Sequence, residues 1–168
     1  MRPALFLDLD STVRYTSNPN KPCPNKPSDV LIYPGVVDKI KNFKEAGFYV
    51  FGVSNQGGIG LGYITEETCK SIMDTTDAKM DNVFDEILWA PDMVSDDRKP
   101  NPGMIHKLTK KYEIDLTASI MVGDKVTDQQ CSDNANVGTF FFAKDFFIEG
   151  HSTSKSTNAN LAYVDLMR

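Results

Sequence analysis

Two aspartates near the start of the chain, Asp8 and Asp10, have the spacing of a catalytic or metal-binding pair. They follow the apolar run Ala4–Leu7, which is short and uninterrupted and therefore predicts a strand buried on both faces, as in a parallel sheet. Residues two apart in a strand point to the same side, so both carboxylates would leave its carboxyl end together, with Leu9 turned into the core. In open α/β sheets, ligands bind at that end of the strands.

Two carboxylates placed this close need a compensating charge, because they repel each other unless a cation or a shared proton is present. Mg²⁺ would serve, since it binds through one or two carboxylates together with substrate phosphate oxygens. A calcium loop of EF-hand type is excluded, because Val13 occupies the sixth position, which needs Gly, and Pro19 the twelfth, which needs Glu. Two solvated loop acids, or a helix N-cap, remain open alternatives from this stretch alone.

The composition predicts one ordinary globular domain with a sizeable core, since the 168 residues are 40% hydrophobic and 24% charged. The net charge of −5 gives no electrostatic footprint for non-specific nucleic-acid binding. No apolar run approaches the roughly 18 residues of a membrane span. The three cysteines lack a C-x-x-C pair, and the first strand begins at once, so we expect no signal peptide, reduced thiols and a cytoplasmic protein.

Apolar periodicity predicts strands that alternate with helices after the first strand. The strands cover 48–53, 86–90, 120–122 and 139–142, and the helices cover 36–43, 66–80, 104–112 and 127–134. This alternation predicts an α/β fold of Rossmann-like order, with a parallel five-stranded sheet and helices on both faces. Between Gly62 and Lys99 there is room for one helix and one strand, so we expect no large cap domain.

The segment from about 14 to 34 is rich in proline and polar residues and cannot form a helix or a central strand. It predicts a small flap beside the acid pair, because so long a loop in a compact domain is usually functional. We expect residues 1–150 to form the domain and 151–168 a C-terminal tail or final helix of the same domain.

Four further polar residues lie just after predicted strands or in the loop that follows one: Ser54, Asn55, Lys99 and Asp124. Because the carboxyl ends of parallel strands meet at one edge, these side chains would converge on the two aspartates. Acids with a divalent cation, a hydroxyl, an amide and a lysine are the groups needed to stabilise phosphoryl transfer. One carboxylate can act as nucleophile through an aspartyl-phosphate, and a second can act as general acid and base.

The ordered set of motifs resembles that of the haloacid dehalogenase (HAD) superfamily of phosphohydrolases. It comprises Asp8-x-Asp10-x-Thr12, Ser54-Asn55, Lys99 and Gly123-Asp124-x-x-x-Asp128. The resemblance implies a phosphomonoester hydrolase with Asp8 as nucleophile and Asp10 as general acid and base. It further implies that Lys99 neutralises charge, and that Asp8, Asp124 and the backbone carbonyl of Asp10 hold Mg²⁺.

The same resemblance assigns supporting roles to other residues. Asp128 would orient the metal site or Lys99. Ser11 occupies the place of the usual glycine. Thr12 would support the loop, Ser54 and Asn55 would bind phosphoryl oxygens, and the substrate-binding residues as a group are Thr12, Ser54, Asn55, Arg98 and Lys125.

Finer resemblance points to subfamily IIIA, which holds histidinol-phosphate phosphatase, heptose-bisphosphate phosphatase and the 3′-phosphatase domain of polynucleotide kinase. Residues 55–60, 98–104 and 121–125 are similar to the heptose-bisphosphate enzyme, whereas 26–34 and 142–147 are similar to the polynucleotide enzyme. We expect a 3′-phosphorylated nucleic-acid end or a phosphorylated small molecule as substrate, and favour the polynucleotide 3′-phosphatase. A sugar or histidinol phosphatase is the alternative, and a non-catalytic phosphate-binding protein is a third hypothesis.

The flap supplies the argument for a nucleotide. It carries Arg14, Tyr15, Lys21 and Lys26, and Tyr15 could stack on a base, a contact worth about 1–3 kcal/mol.

A structural zinc, which sugar-phosphatase relatives carry before the lysine motif, is not expected. The corresponding positions hold no His or Cys and do not make a tetrahedral zinc site; they are Ala90, Asp92, Ser95 and Asp97.

Overall fold

The structure is a computed structural model that describes residues 1–147. In this part of the chain the strands are β1 (Ala4–Leu7), β2 (Arg14–Thr16), β3 (Val30–Ile32), β4 (Tyr49–Asn55), β5 (Glu86–Ala90), β6 (Ile120–Gly123) and β7 (Thr139–Phe142). The helices are α1 (Val36–Glu45), α2 (Glu66–Lys79), α3 (Gly103–Tyr112), α4 (Val126–Asn134) and α5 (Ala143–Phe146). The predicted tail or final helix over 151–168 lies outside the described residues.

The central sheet has five strands in the order β5-β4-β1-β6-β7, and every neighbouring pair is parallel. Strand β1 lies in the middle, and all four of its residues are fully buried. The prediction of a strand buried on both faces is therefore confirmed. The switch in strand order beside β1 places the residues that follow it at the crevice where such sheets bind ligands.

Helices cover both faces of the sheet, as predicted. Alternate residues of β1 point to opposite faces, so Leu5 and Leu7 pack in one core cluster with α1, α2 and α5. Ala4 and Phe6 pack in the other cluster with α3 and α4. Leu9 joins the first cluster, which confirms that it turns back into the core.

The predicted flap contains a two-stranded antiparallel ribbon, β2 and β3, that is separate from the central sheet. The sequence did not predict these strands. They form because the prolines of this segment fall outside both of them, so no backbone donor is lost from the ribbon. Within residues 1–147 no large cap domain is inserted, since the connections before α2 and α3 are the short segments 56–65 and 91–102.

Local details follow the sequence closely at two positions. Thr65 caps α2 by accepting a hydrogen bond from the backbone N–H of Thr68, at 3.0 Å. Ser11 has a φ of 64°, in the left-handed region, which explains why glycine is usual at this position in the HAD motif.

Within residues 1–147, no helix has the length and apolar character that a membrane crossing requires.

Candidate active site

A cavity of about 460 Å³ opens at the carboxyl edge of the sheet, where β1, β4 and β6 end. The predicted acids and the predicted lysine meet here. The lining residues are Asp8, Asp10, Asn55, Gly57, Arg98, Lys99, Pro100, Asp124, Lys125, Thr127 and Asp128.

Asp8 lies at the base of this cavity with both carboxylate oxygens engaged. Its Oδ1 accepts a hydrogen bond from Lys99 Nζ at 2.7 Å, and its Oδ2 accepts one from Thr12 Oγ1 at 3.0 Å. Burial raises the pKa of Asp8 to about 6; Lys99 opposes the rise, and the neighbouring Asp124 carboxylate adds to it. The carboxylate is thus oriented and desolvated, as an attacking group requires.

Lys99 is buried and makes three contacts through its ammonium. Nζ lies 2.7 Å from Asp8 Oδ1, 2.7 Å from Asp128 Oδ1 and 2.8 Å from the Val53 carbonyl oxygen. Burial disfavours its charge, but the two carboxylates outweigh this and raise the pKa of Lys99. Lys99 is therefore a fixed cation between two acids.

Asp128 holds the loop that carries Asp124. Its Oδ2 accepts hydrogen bonds from the backbone N–H groups of Asp124 at 3.1 Å and Lys125 at 3.0 Å, at the start of α4. A side chain at Gly123 would collide with the Asp128 carboxyl, so only glycine allows this approach. The geometry agrees with the supporting role expected for Asp128.

The acids fit a divalent cation. Asp8, Asp124 and Asp128 each place one carboxylate oxygen within 4.8 Å of the others. In Asp128, Oδ1 contacts Lys99 and Oδ2 accepts from the backbone, so both oxygens already have partners. In Asp124, Oδ1 is buried without a hydrogen-bond partner among the described residues. Burial also raises the pKa of Asp124. A buried, unpartnered oxygen beside a second carboxylate is the donor set that Mg²⁺ takes.

Asp10 lines the cavity on the side of the flap. Its carboxylate forms an ion pair with Arg14, with Nε 2.8 Å from Oδ1, and its Oδ2 accepts a hydrogen bond from Gln56 Nε2 at 3.1 Å. The Asp10 side chain keeps 22% exposure. Arg14 and Gln56 therefore fix the Asp10 carboxylate at the cavity wall, where the side chain stays partly exposed.

Three residues expected to contact substrate have other partners in the structure. Thr12 is fully buried and its hydroxyl donates to Asp8, so it supports the Asp8 carboxylate, and its contact with substrate stays a prediction. Asn55 bonds the backbone of Lys99 through both ends of its amide, at 3.0 and 2.9 Å. Ser54 is buried and accepts a hydrogen bond from Gln56 at 2.8 Å, so its contact with phosphoryl oxygens stays a prediction.

Arg98 and Lys125, which we expect to bind substrate, both line the cavity. Arg98 is half-buried, with Nη1 3.3 Å from the Asp92 carbonyl oxygen, and Lys125 is exposed. These two cations, which we call the cationic rim, therefore line the same cavity as Asp8.

The four flap residues expected to grip a nucleotide differ in their exposure. Arg14 is fully buried, and the Tyr15 ring stacks on Tyr33 with centroids 4.7 Å apart. Lys21 and Lys26 are exposed, and Lys21 lines a second cavity of about 310 Å³ that shares Asn55 with the first. The half-buried Tyr15 ring thus has one face on Tyr33, and its stacking on a base stays a prediction.

Sequence reasoning missed Gln56, which bonds both Asp10 and Ser54. A usable signal existed, because Gln56 lies two residues beyond Ser54 and directly follows the end of β4. In the loop proposed to lack zinc, Asp92 accepts from the Val94 backbone and Asp97 pairs with Lys107. The absence of zinc stays a prediction.

Comparisons with known proteins agree with this geometry. The family model described as polynucleotide kinase 3 phosphatase matches residues 4–160. The chain is 37% identical over 150 residues to the D-glycero-beta-D-manno-heptose-1,7-bisphosphate 7-phosphatase of Escherichia coli K12, covering 82% of this chain and 76% of that protein.

Solved structures give the same result. A crystal structure described as that of a HAD-like phosphatase from Mesorhizobium loti superposes with a TM-score of 0.71 at 30% identity, covering 82% of this chain and 69% of that one. The D,D-heptose 1,7-bisphosphate phosphatase of B. bronchiseptica, solved with magnesium and phosphate, has a TM-score of 0.69 at 26% identity, covering 79% and 76%. The chain therefore belongs to the polynucleotide kinase 3 phosphatase family of the HAD superfamily, on the heptose-bisphosphate branch, and is a phosphatase.

Proposed function

We propose that this chain is a Mg²⁺-dependent phosphomonoesterase that acts through an aspartyl-phosphate on a sugar phosphate of the heptose 1,7-bisphosphate type. The observation that carries the chemistry is the position of Asp8, buried at the base of the cavity between Lys99 and the unpartnered oxygen of Asp124. The substrate class rests on the relatives and on the cationic rim of the cavity.

In the first half of the reaction, the Asp8 carboxylate attacks phosphorus while the bond from phosphorus to the leaving oxygen breaks. Asp10, which lines the cavity, takes up a proton from solvent before this half-reaction and gives it to that oxygen. In the second half, Asp10 takes a proton from water as the water attacks the phosphoryl group, which releases inorganic phosphate and restores the Asp8 carboxylate. Throughout, Lys99 stays beside Asp8 and offsets negative charge.

Mg²⁺ would be held by Asp8, Asp124 and the backbone carbonyl of Asp10. When bound, it supplies positive charge against the phosphoryl oxygens. The protein's own contribution is to keep the ligands in place: Thr12 fixes Asp8, and Asp128 fixes the Asp124 backbone.

A sugar bisphosphate suits the cavity better than a nucleic-acid end. Arg98 and Lys125 line the same cavity as Asp8 and offer cations to a second phosphate on one small molecule. The nucleotide hypothesis rested on the Tyr15 ring, which is half-buried and already stacks on Tyr33 with one face. The sugar-phosphate alternative therefore replaces the polynucleotide 3′-phosphatase as the favoured substrate hypothesis.

The test is a panel of phosphomonoesters assayed for phosphate release with and without Mg²⁺. It contains heptose 1,7-bisphosphate, histidinol phosphate, a 3′-phosphorylated oligonucleotide and p-nitrophenyl phosphate. We expect phosphate release to depend on Mg²⁺ for every ester that the protein hydrolyses. The heptose bisphosphate should have the highest kcat/KM. A higher kcat/KM for the oligonucleotide would overturn the substrate assignment, and turnover that persists in EDTA would overturn the metal assignment.

A further inference from the structure

Arg14 is the largest fully buried side chain among the described residues, and it points at the general acid instead of at solvent. Its guanidinium makes two contacts with Asp10: Nε to Oδ1 at 2.8 Å and Nη2 to Oδ2 at 3.3 Å. Nη1 donates to Thr76 Oγ1 at 2.8 Å and lies 3.5 Å from the sulfur of Met73, both on α2. A guanidinium is costly to bury, so a fully buried one must be matched on several sides.

The backbone links the same residues. The N–H of Ser11 donates to the Arg14 carbonyl at 2.8 Å, and the N–H of Arg14 donates to the Leu9 carbonyl at 3.1 Å. The acid therefore sits in a tight turn whose last residue, Arg14, begins the flap strand β2. Gln56 fixes the other side of the Asp10 carboxylate, at 3.1 Å.

We propose that Arg14 is a positioning residue for catalysis: it anchors the Asp10 carboxylate to α2 and so holds it in the one orientation that delivers a proton to the leaving oxygen. The planar fork of arginine makes this possible, because it engages both carboxylate oxygens and still has a donor left for Thr76. This inference rests on the proposed role of Asp10 as general acid and base. Arg14 contacts no substrate and acts only through Asp10.

The competing explanation is that Arg14 merely stabilises the fold. The two roles differ in how the loss depends on the leaving group. An alkoxide needs a proton to leave, whereas p-nitrophenolate leaves without one, so misplacing the acid harms alkyl phosphates most. The parameter to compare is kcat/KM, because it covers the steps up to cleavage of the ester bond and excludes later hydrolysis of the intermediate.

The experiment compares glycerol 2-phosphate with p-nitrophenyl phosphate in Arg14→Met, Asp10→Asn and the double variant, each with a thermal melt. For Arg14→Met we expect kcat/KM to fall about 10²-fold on glycerol 2-phosphate and less than about tenfold on p-nitrophenyl phosphate. In the Asp10→Asn background, Arg14→Met should change kcat/KM on glycerol 2-phosphate by less than about threefold, because the acid that it positions is already gone.

Two further variants guard against a folding defect. Thr76→Val removes the hydrogen bond from Arg14 to α2 without changing Asp10. We expect kcat/KM on glycerol 2-phosphate to fall about tenfold, and kcat/KM on p-nitrophenyl phosphate to fall less. The matched control is Lys79→Met, because Lys79 also ties α2 to the flap, through the Val30 carbonyl at 2.6 Å, but does not contact Asp10. It should show no dependence on the leaving group.

Equal losses on both esters for Arg14→Met and Thr76→Val, or additive losses in the double variant, would overturn the positioning role. If Arg14→Met gives no cooperative melt, the outcome for Thr76→Val decides. A failure of the proposed function looks different: Asp10→Asn would then retain wild-type kcat/KM on glycerol 2-phosphate. An impaired Asp10→Asn beside a fully active Arg14→Met overturns the positioning role alone.

Discussion

The side-chain amide of Asn55 spans both backbone groups of Lys99: Nδ2 donates to the Lys99 carbonyl at 3.0 Å, and Oδ1 accepts from the Lys99 N–H at 2.9 Å. The end of β4 is thereby joined to the loop after β5. Lys99, whose ammonium lies beside Asp8, is therefore held through its backbone as well.

This relationship gives the first prediction. Asn55→Ala should lower kcat about tenfold or more with little change in KM, because it releases Lys99 and does not remove a phosphoryl ligand. It should also lower the free energy of unfolding by about 1–3 kcal/mol, since two part-buried hydrogen bonds lose a partner. Steady-state kinetics and chemical denaturation measure both. A rise in KM at unchanged kcat would contradict this and would support a direct contact of Asn55 with the phosphoryl oxygens.

A second prediction concerns the metal. Mg²⁺ at 100 times its Kd should stabilise the folded protein by about 2.7 kcal/mol, which raises the melting temperature by several degrees. Asp124→Asn should abolish most of this shift, because Asp124 supplies the unpartnered oxygen.

The matched control for Asp124→Asn is Asp133→Asn, an exposed acid on α4. It removes one negative charge from the same region and should keep the Mg²⁺ shift. Equal loss of the shift in both variants would mean that Mg²⁺ responds to surface charge and not to the Asp8–Asp124 pair.

A third prediction follows from the cysteines. Burial raises the pKa of Cys69 to about 12 and that of Cys131 to about 11, so few thiolates exist at pH 8. Alkylation of both should be slow at pH 8 and should accelerate as pH rises toward these values, while half-buried Cys23 reacts first. Site-resolved mass spectrometry after timed exposure to iodoacetamide measures the three rates. Cys69 reacting as fast as Cys23 at pH 8 would contradict the packing described for α2.

Much of the fold and of the catalytic cluster could be predicted from the sequence. The short apolar run Ala4–Leu7 predicts a strand buried on both faces, and the parallel sheet brings Asp8, Lys99 and Asp124 together because strand ends share an edge. These predictions succeeded because each depends on periodicity and chain order.

The roles of the flap residues could not be predicted in the same way. A basic residue such as Arg14 is usually exposed, and only the tertiary structure shows that Asp10 and Thr76 meet its guanidinium. The stacking of the Tyr15 ring on Tyr33 could not be predicted either, because the side-chain orientation of a three-residue strand is not encoded in its composition. Contacts between residues distant in sequence decided both cases.

The central claim is that Asp8 is the nucleophile of a phosphatase, and the most direct measurement is mass spectrometry of the enzyme quenched in acid during turnover with Mg²⁺ and p-nitrophenyl phosphate. We expect one phosphoryl group on the peptide that carries Asp8 and Asp10, with fragmentation placing it on Asp8. Asp8→Asn should carry no phosphoryl group and release no phosphate while keeping the wild-type fold. A phosphoryl group on another residue, or phosphate release by Asp8→Asn at the wild-type rate, would contradict the account.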